Sequence, residues 1–137
     1  MPDFDLECLF ICPDRELADA FLKTVPALRT FQVLTDLKSY PTEQALEMRL
    51  RQMNPQLVLL DVASDPAASG TIIEYIVRSR PGTQVIGLHT SNDSEAILSS
   101  LRRGAIEFLY APFDQGIQRE AISRIRRLRK PTQVEER

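Results

Sequence analysis

Asp61 closes a run of four apolar residues, Leu57-Val58-Leu59-Leu60, and Asp14 follows a second run, Cys8-Leu9-Phe10-Ile11-Cys12. A carboxylate where an apolar segment surfaces can hold a cation, accept a transferred group, or cap a helix. His89 ends a third run, Val85-Ile86-Gly87-Leu88, with Thr90 beside it. An imidazole there can donate to an anion, bind a metal or sense pH, and it can equally be a packed or capping residue. It is the one histidine of the chain. A Ser-His-Asp or Cys-His enzyme would therefore have to be built on it, and a zinc site of several His and Cys lacks its ligands. Cys8 and Cys12 share one face of one strand. At a rise of about 3.3 Å per residue they sit roughly 13 Å apart, too far for a disulfide within it. They read as reduced core thiols, which points to the cytoplasm.

The last periodic segment has a different character. From residue 115 to 130 it carries Arg119, Arg124, Arg126, Arg127, Arg129 and Lys130 against Glu120. That is a net of +5 in a chain of net charge -2, so the remainder carries -7. A solvated helix face that complements the helix dipole is the plain reading. A protein partner, nucleic acid or acidic lipid are the others. The overall charge excludes a wholly basic nucleic-acid binder.

These residues need elements to position them. The 137 residues, 43% hydrophobic and 26% charged, suit one globular domain. Asp3 and Asp5 at the start do not suit a signal peptide. No apolar run approaches the roughly 20 residues of a membrane helix. Short apolar runs predict strands at Cys8–Cys12, around Phe31 and Val33, and at Leu57–Leu60, Val85–Leu88 and Phe108–Tyr110, covered on both faces. Helical spacing lies between them. One helix follows Asp14 with Leu17, Phe21 and Leu22, and is limited by Pro26. A second spans Thr42–Met53 and ends at Asn54-Pro55. A loop from Val62 to Gly70 leads to a third at Ile72, Ile73, Ile76 and Val77. A fourth opens at a capping box, Asn92-x-x-Glu95, runs through Ile97, Leu98 and Leu101, and is C-capped by Gly104. A fifth carries Ile117, Ala121, Ile125 and Leu128 and stops at Pro131. Five strands alternating with five helices predict an α/β fold. It is a doubly wound five-stranded parallel sheet, order 2-1-3-4-5, over residues 1–131, with 132–137 a charged tail or the start of a linker. Its functional edge is the carboxyl ends of the strands, where Pro13, Asp14, Asp61, His89, Thr90, Ala111 and Pro112 fall.

In this order and spacing the chain resembles the CheY-like receiver domain of two-component response regulators, from about Leu6 to Lys130. Asp61 is similar to the phospho-accepting aspartate. Gly104-Ala105-Ile106-Glu107-Phe108-Leu109-Tyr110-Ala111-Pro112-Phe113 resembles the fifth-strand signature Gly-Ala-x-x-(aromatic)-x-x-Lys-Pro-Phe, with Phe108 at the switch aromatic. The resemblance implies a phosphorelay role with a histidine kinase donor. It also implies Mg²⁺ held by paired acids, a Thr or Ser after the fourth strand, and a Lys before Pro-Phe. Here those positions carry Pro13 and Asp14, His89 with Thr90 beside it, and Ala111. After Asp61 the loop has gained a residue, since Pro66 is five on and Gly70 nine on.

Moving a phosphoryl group onto a carboxylate crowds negative oxygens, and Mg²⁺ and Lys supply the balancing charge. Asp14 and Asp61 are the two remaining candidate Mg²⁺ ligands, and nothing replaces the Lys. The expectation is a degenerate receiver, not an enzyme and without a resident cofactor, signalling through protein contact. A homodimer is expected through the face of the fourth helix, fifth strand and fifth helix, with Arg102, Arg103, Tyr110, Arg119 and Arg126 as contacts. Phosphorylation at Asp61, or nucleic-acid or membrane-surface binding through the Arg-rich helix, are the alternatives. The departures also resemble receivers fused ahead of MinD-like pilus-assembly ATPases of the CpaE/TadZ type. That likeness implies an output or ATPase domain as partner, and no Gly-x-x-x-x-Gly-Lys-Ser/Thr loop is present in this chain.

Overall fold

The computed structural model describes residues 6–28 and 31–129. Asp3, Asp5, Lys130, Pro131 and the tail 132–137 lie outside them, as do the side chains of Leu128 and Arg129. Five parallel strands, β1 (Leu6–Ile11), β2 (Phe31–Leu37), β3 (Leu57–Asp61), β4 (Gln84–His89) and β5 (Glu107–Tyr110), lie in the order β2-β1-β3-β4-β5. Five long helices connect and flank them: α1 (Arg15–Leu22), α3 (Glu43–Met53), α4 (Pro66–Ser79), α5 (Ser94–Arg103) and α6 (Gln115–Arg129). A single extra turn, α2 (Val25–Leu28), precedes β2.

Burial explains the apolar runs. All five residues of β3 are buried, as a central strand covered on both faces requires. Alternate side chains divide between two cores. Cys8, Phe10, Leu57, Leu59, Ile86 and Leu88 face α1 and α6. Leu9, Ile11, Val58, Leu60 and Val85 face α3 and α4. Phe21 of α1 centres the first layer, stacked on Phe10 at 5.7 Å and edge-on to Phe113 at 5.3 Å. Both thiols are free and buried in this layer.

Local chemistry shifted several expected boundaries. Pro26 sits inside α2, where an early helical position tolerates its missing N–H, and α1 ends before it at Leu22. The segment read as a loop to Gly70 is helical from Pro66, because Asp65 caps α4 by accepting from the Ala68 amide at 3.1 Å. The cap of α5 is Asp93, which accepts from Glu95 and Ala96, so the Asn92 capping box does not form. Asn54 takes the left-handed conformation at the end of α3, and Gly104 has a positive φ of 125° after α5. No helix among the described residues is long and apolar enough to cross a membrane.

Candidate functional site

Asp61 is the last residue of β3 and is fully buried. A buried carboxylate needs hydrogen-bond donors, and the surrounding chain supplies them. Its Oδ1 accepts from the backbone N–H groups of Ala63 at 2.8 Å and Ser64 at 3.0 Å. Its Oδ2 accepts from the Ser64 hydroxyl at 2.6 Å and from the Asp14 N–H at 3.4 Å, with the Cys12 thiol at 3.8 Å. The Tyr40 hydroxyl donates to the Asp61 backbone carbonyl at 2.6 Å, so the residue is clasped at both ends.

Asp14 comes next to Asp61 through its backbone, while its side chain does another task. Oδ1 caps α1, accepting from Glu16 and Leu17 at 3.1 Å each. The cap is the plain reading of this residue, and the structure places it there. Pro13 brings neither charge nor amide proton. Arg15 is turned to Asp36, in a bidentate pair of 3.1 and 2.7 Å, and also donates to the Cys12 carbonyl. Burial, then the charges of Asp61 and Asp14, push the Cys12 thiol up to about 12, so it stays protonated beside the carboxylate. Burial likewise raises Tyr40 above the usual phenol range, keeping its hydroxyl a donor.

His89 ends β4 and is half-buried. Its ring stacks on Phe108, centroids 5.9 Å apart at 28°, and its Nδ1 accepts from the Ser91 N–H at 3.1 Å. Thr90 is exposed. Ala111 packs its methyl against the first core, and its N–H donates to the His89 carbonyl at 3.0 Å. The Ala111–Pro112 peptide is cis.

Mg²⁺ wants carboxylate oxygens free to turn toward it. The residues here do not fit that need. Position 13 offers no side-chain oxygen, an oxygen of Asp14 is committed to α1, and both oxygens of Asp61 are held by protein donors. Among the described residues no group of three His, Cys, Asp or Glu is placed to hold a metal ion.

The sequence reading brought Asp14, Asp61 and His89 to the correct sheet edge but missed Ser64 and Tyr40. Ser64 carried a signal, since an Asp with Ser three residues on forms local side-chain turns. Tyr40 lies 21 residues away and had none.

The expected contact residues divide. β5 is an edge strand, so α5, β5 and α6 frame one side of the molecule. Leu98 and Leu101 of α5 and Ile117 of α6 are 50%, 42% and 42% exposed, and Tyr110, Pro112 and Ile117 line one cavity. Arg102 and Arg119 are exposed and Arg126 is half-buried. Arg103 faces the other way, pairing with Glu74 of α4 at 3.3 Å and covering Gly70. Arg124 is held by Glu107 of β5 through bonds of 2.6 and 2.9 Å.

No protein-family model matches this chain, and no curated protein does. Solved structures do. A response regulator from Thermotoga maritima shares 24% identity over 89% of this chain and 98% of its own, with a TM-score of 0.70. A structure assigned to pilus assembly (cpaE) from Burkholderia thailandensis shares 16% over 88% and 98%, TM-score 0.71. The signal receiver domain of NarL from Mycobacterium tuberculosis shares 13% over 91% and 98%, TM-score 0.71. At these identities the likeness establishes the fold, which is that of a CheY-like receiver.

Proposed function

We propose that this receiver-fold chain is a non-enzymatic signalling module that acts by protein contact and is not switched by phosphorylation. One observation carries the reading. The Asp61 carboxylate is buried and its lone pairs are taken by donors of its own chain. A phospho-acceptor must present an oxygen to its donor, with cations at hand for the developing charge. Here Pro13 and Ala111 stand at the positions of an acid and a Lys, and Arg15 is engaged by Asp36.

The partner surface in this reading is the edge built by α5, β5 and α6. Exposed Leu98, Leu101 and Ile117 supply apolar area on these elements and exposed Arg102 and Arg119 supply charge, a composition that suits a protein interface. A second copy of the chain is the proposed occupant. An output or ATPase domain, which the sequence resemblance to CpaE/TadZ-type receivers implies, is the proposed downstream partner.

Two measurements test this. A titration with beryllofluoride and Mg²⁺, followed by amide chemical shifts, is expected to leave Ala63 and Ser64 unmoved. Saturable shifts there would restore the phospho-receiver reading, with a histidine kinase as donor. Light scattering across concentration is expected to show a dimer that Leu101→Glu dissociates. A strictly monomeric chain, or a dimer indifferent to that substitution, would remove the proposed face.

A further inference from the structure

The segment after β4 is held by a bond that protonation forbids. His89 Nδ1 accepts from the N–H of Ser91, two residues on. This is the geometry in which an Asn or Asp side chain closes a turn on its own backbone. A ring nitrogen accepts only while it lacks a proton, so the bond requires neutral imidazole with its hydrogen on Nε2. In the imidazolium both nitrogens are donors, and Nδ1–H would meet the Ser91 N–H head-on. The ring must then turn, which disturbs its stack on Phe108 and the tilted contact of Phe108 with Tyr110 at 6.5 Å.

The turn leads directly into Asp93, whose Oδ1 accepts from Glu95 at 3.0 Å and Ala96 at 3.4 Å to start α5. The geometry points to a proton-responsive turn. Protonation of His89 releases the Ser91 amide and loosens the first turn of α5, so this helix is presented in two states selected by pH.

The groups facing the imidazole set the charge around it. Asp93, Glu95 and Arg103 of α5 and its cap line the same cavity as His89, and Arg103 is paired with Glu74 of α4. The lining residues of α4, among them Ser69 and Gly70, carry no charge. From β3, Asp61 lies opposite Leu88 in register, and from β5, Tyr110 lies opposite His89. Asp61 is occupied by its own donors and is not a partner for the ring in this structure.

Histidine side chains in general change charge between about pH 5 and 8, so the comparison runs from about pH 5.5 to about pH 8. Two-dimensional NMR across that range is expected to show the His89 ring and the Ser91 amide moving with one midpoint. Protection of the Glu95 and Ala96 amides against hydrogen exchange is expected to fall about three- to tenfold at the acid end, the worth of one ordinary hydrogen bond. His89→Asn supplies a non-titrating acceptor for the same turn and is expected to hold that protection constant. A Ser91 amide that stays still while the His89 ring titrates would overturn the inference. So would protection unchanged between pH 5.5 and 8, or the same acid loss in His89→Asn. These readouts concern the turn alone and do not depend on the dimer.

Discussion

Replacing Asp61 with Ala separates a structural carboxylate from a catalytic one. A phospho-accepting aspartate sits among like charges held apart for chemistry, and its removal typically relieves strain, following the general trade between activity and stability. Here the carboxylate is the hub of a turn. Three bonds are short, to Ala63 N at 2.8 Å, Ser64 N at 3.0 Å and the Ser64 hydroxyl at 2.6 Å. The contacts to Asp14 N at 3.4 Å and Cys12 Sγ at 3.8 Å add little. Bonds to charged groups contribute about 1.5–3 kcal/mol each when buried. Ala63 is half-buried and Ser64 exposed, so water recovers part of each, and about 1 kcal/mol per short bond is reasonable. Asp61→Ala is therefore expected to cost about 3 kcal/mol, or roughly 10 °C in Tm for a domain of this size. Urea denaturation with linear extrapolation reads this directly, and an unchanged slope shows that the native state is otherwise intact. A variant as stable as the parent, or more so, would refute the structural role given to Asp61.

Three further outcomes follow from named contacts. The Cys12 thiol is held protonated up to about 12, above its ordinary value near 9. Its contribution to stability is thus full below pH 9 and is lost as pH rises from there toward 12, because only the unfolded chain releases the proton. Denaturation from about pH 8 to about 10.5, a range that spans the ordinary thiol value, is expected to show this loss in the parent and less of it in Cys12→Ser. A Cβ on Gly70 would displace the Arg103 guanidinium, the movable end of a partly exposed side chain paired with Glu74, so Gly70→Ala is expected to gain about 1 kcal/mol of helix propensity when Arg103 is already replaced by Ala, and somewhat less when it is present. A double-mutant cycle by chemical denaturation measures that coupling. Pro13→Asp, which restores an acid beside the site without a balancing cation, is expected to destabilise by about 1–2 kcal/mol at about pH 7 and to recover at about pH 3, below the ordinary aspartate value, checked by thermal unfolding at both pH values.

The fold was legible because its cores are continuous apolar runs. Leu57–Leu60 and Val85–Leu88 read as strands covered on both faces, and both are. Gly104 read as a helix end for the reason that it is one, a backbone at φ 125°. Boundaries failed where a polar side chain decided between neighbours. Asp93 won the cap of α5 over Asn92, and Asp65 started α4 within a segment whose small residues read as a loop. The site was half legible. Which residues line the sheet edge follows from periodicity, but whether a carboxylate faces outward or is tied to its own loop depends on three atoms of Ser64 and Ala63. The reach of Tyr40 from a distant loop has no local signature.

The departures at the sheet edge form one consistent set. A buried anion is tolerated if cations balance it or if dipoles solvate it. With Ala111 where a Lys would stand and Arg15 drawn to Asp36, no described cation contacts Asp61, so the backbone N–H groups and hydroxyl of its own loop solvate it instead. This arrangement tolerates few neighbouring acids. Position 13 is uncharged, the Asp14 side chain is drawn to the start of α1, and Cys12 is kept neutral by burial and by the field of both carboxylates. Each change lowers the electrostatic cost of the others. Restoring one family residue alone therefore conflicts with its surroundings. On the proposed reading, efficient phosphoryl transfer to Asp61 would need Pro13→Asp and Ala111→Lys together, along with release of the carboxylate from its loop. Asp61 is, on that same reading, kept for its place in the turn, and its replacement is felt in stability.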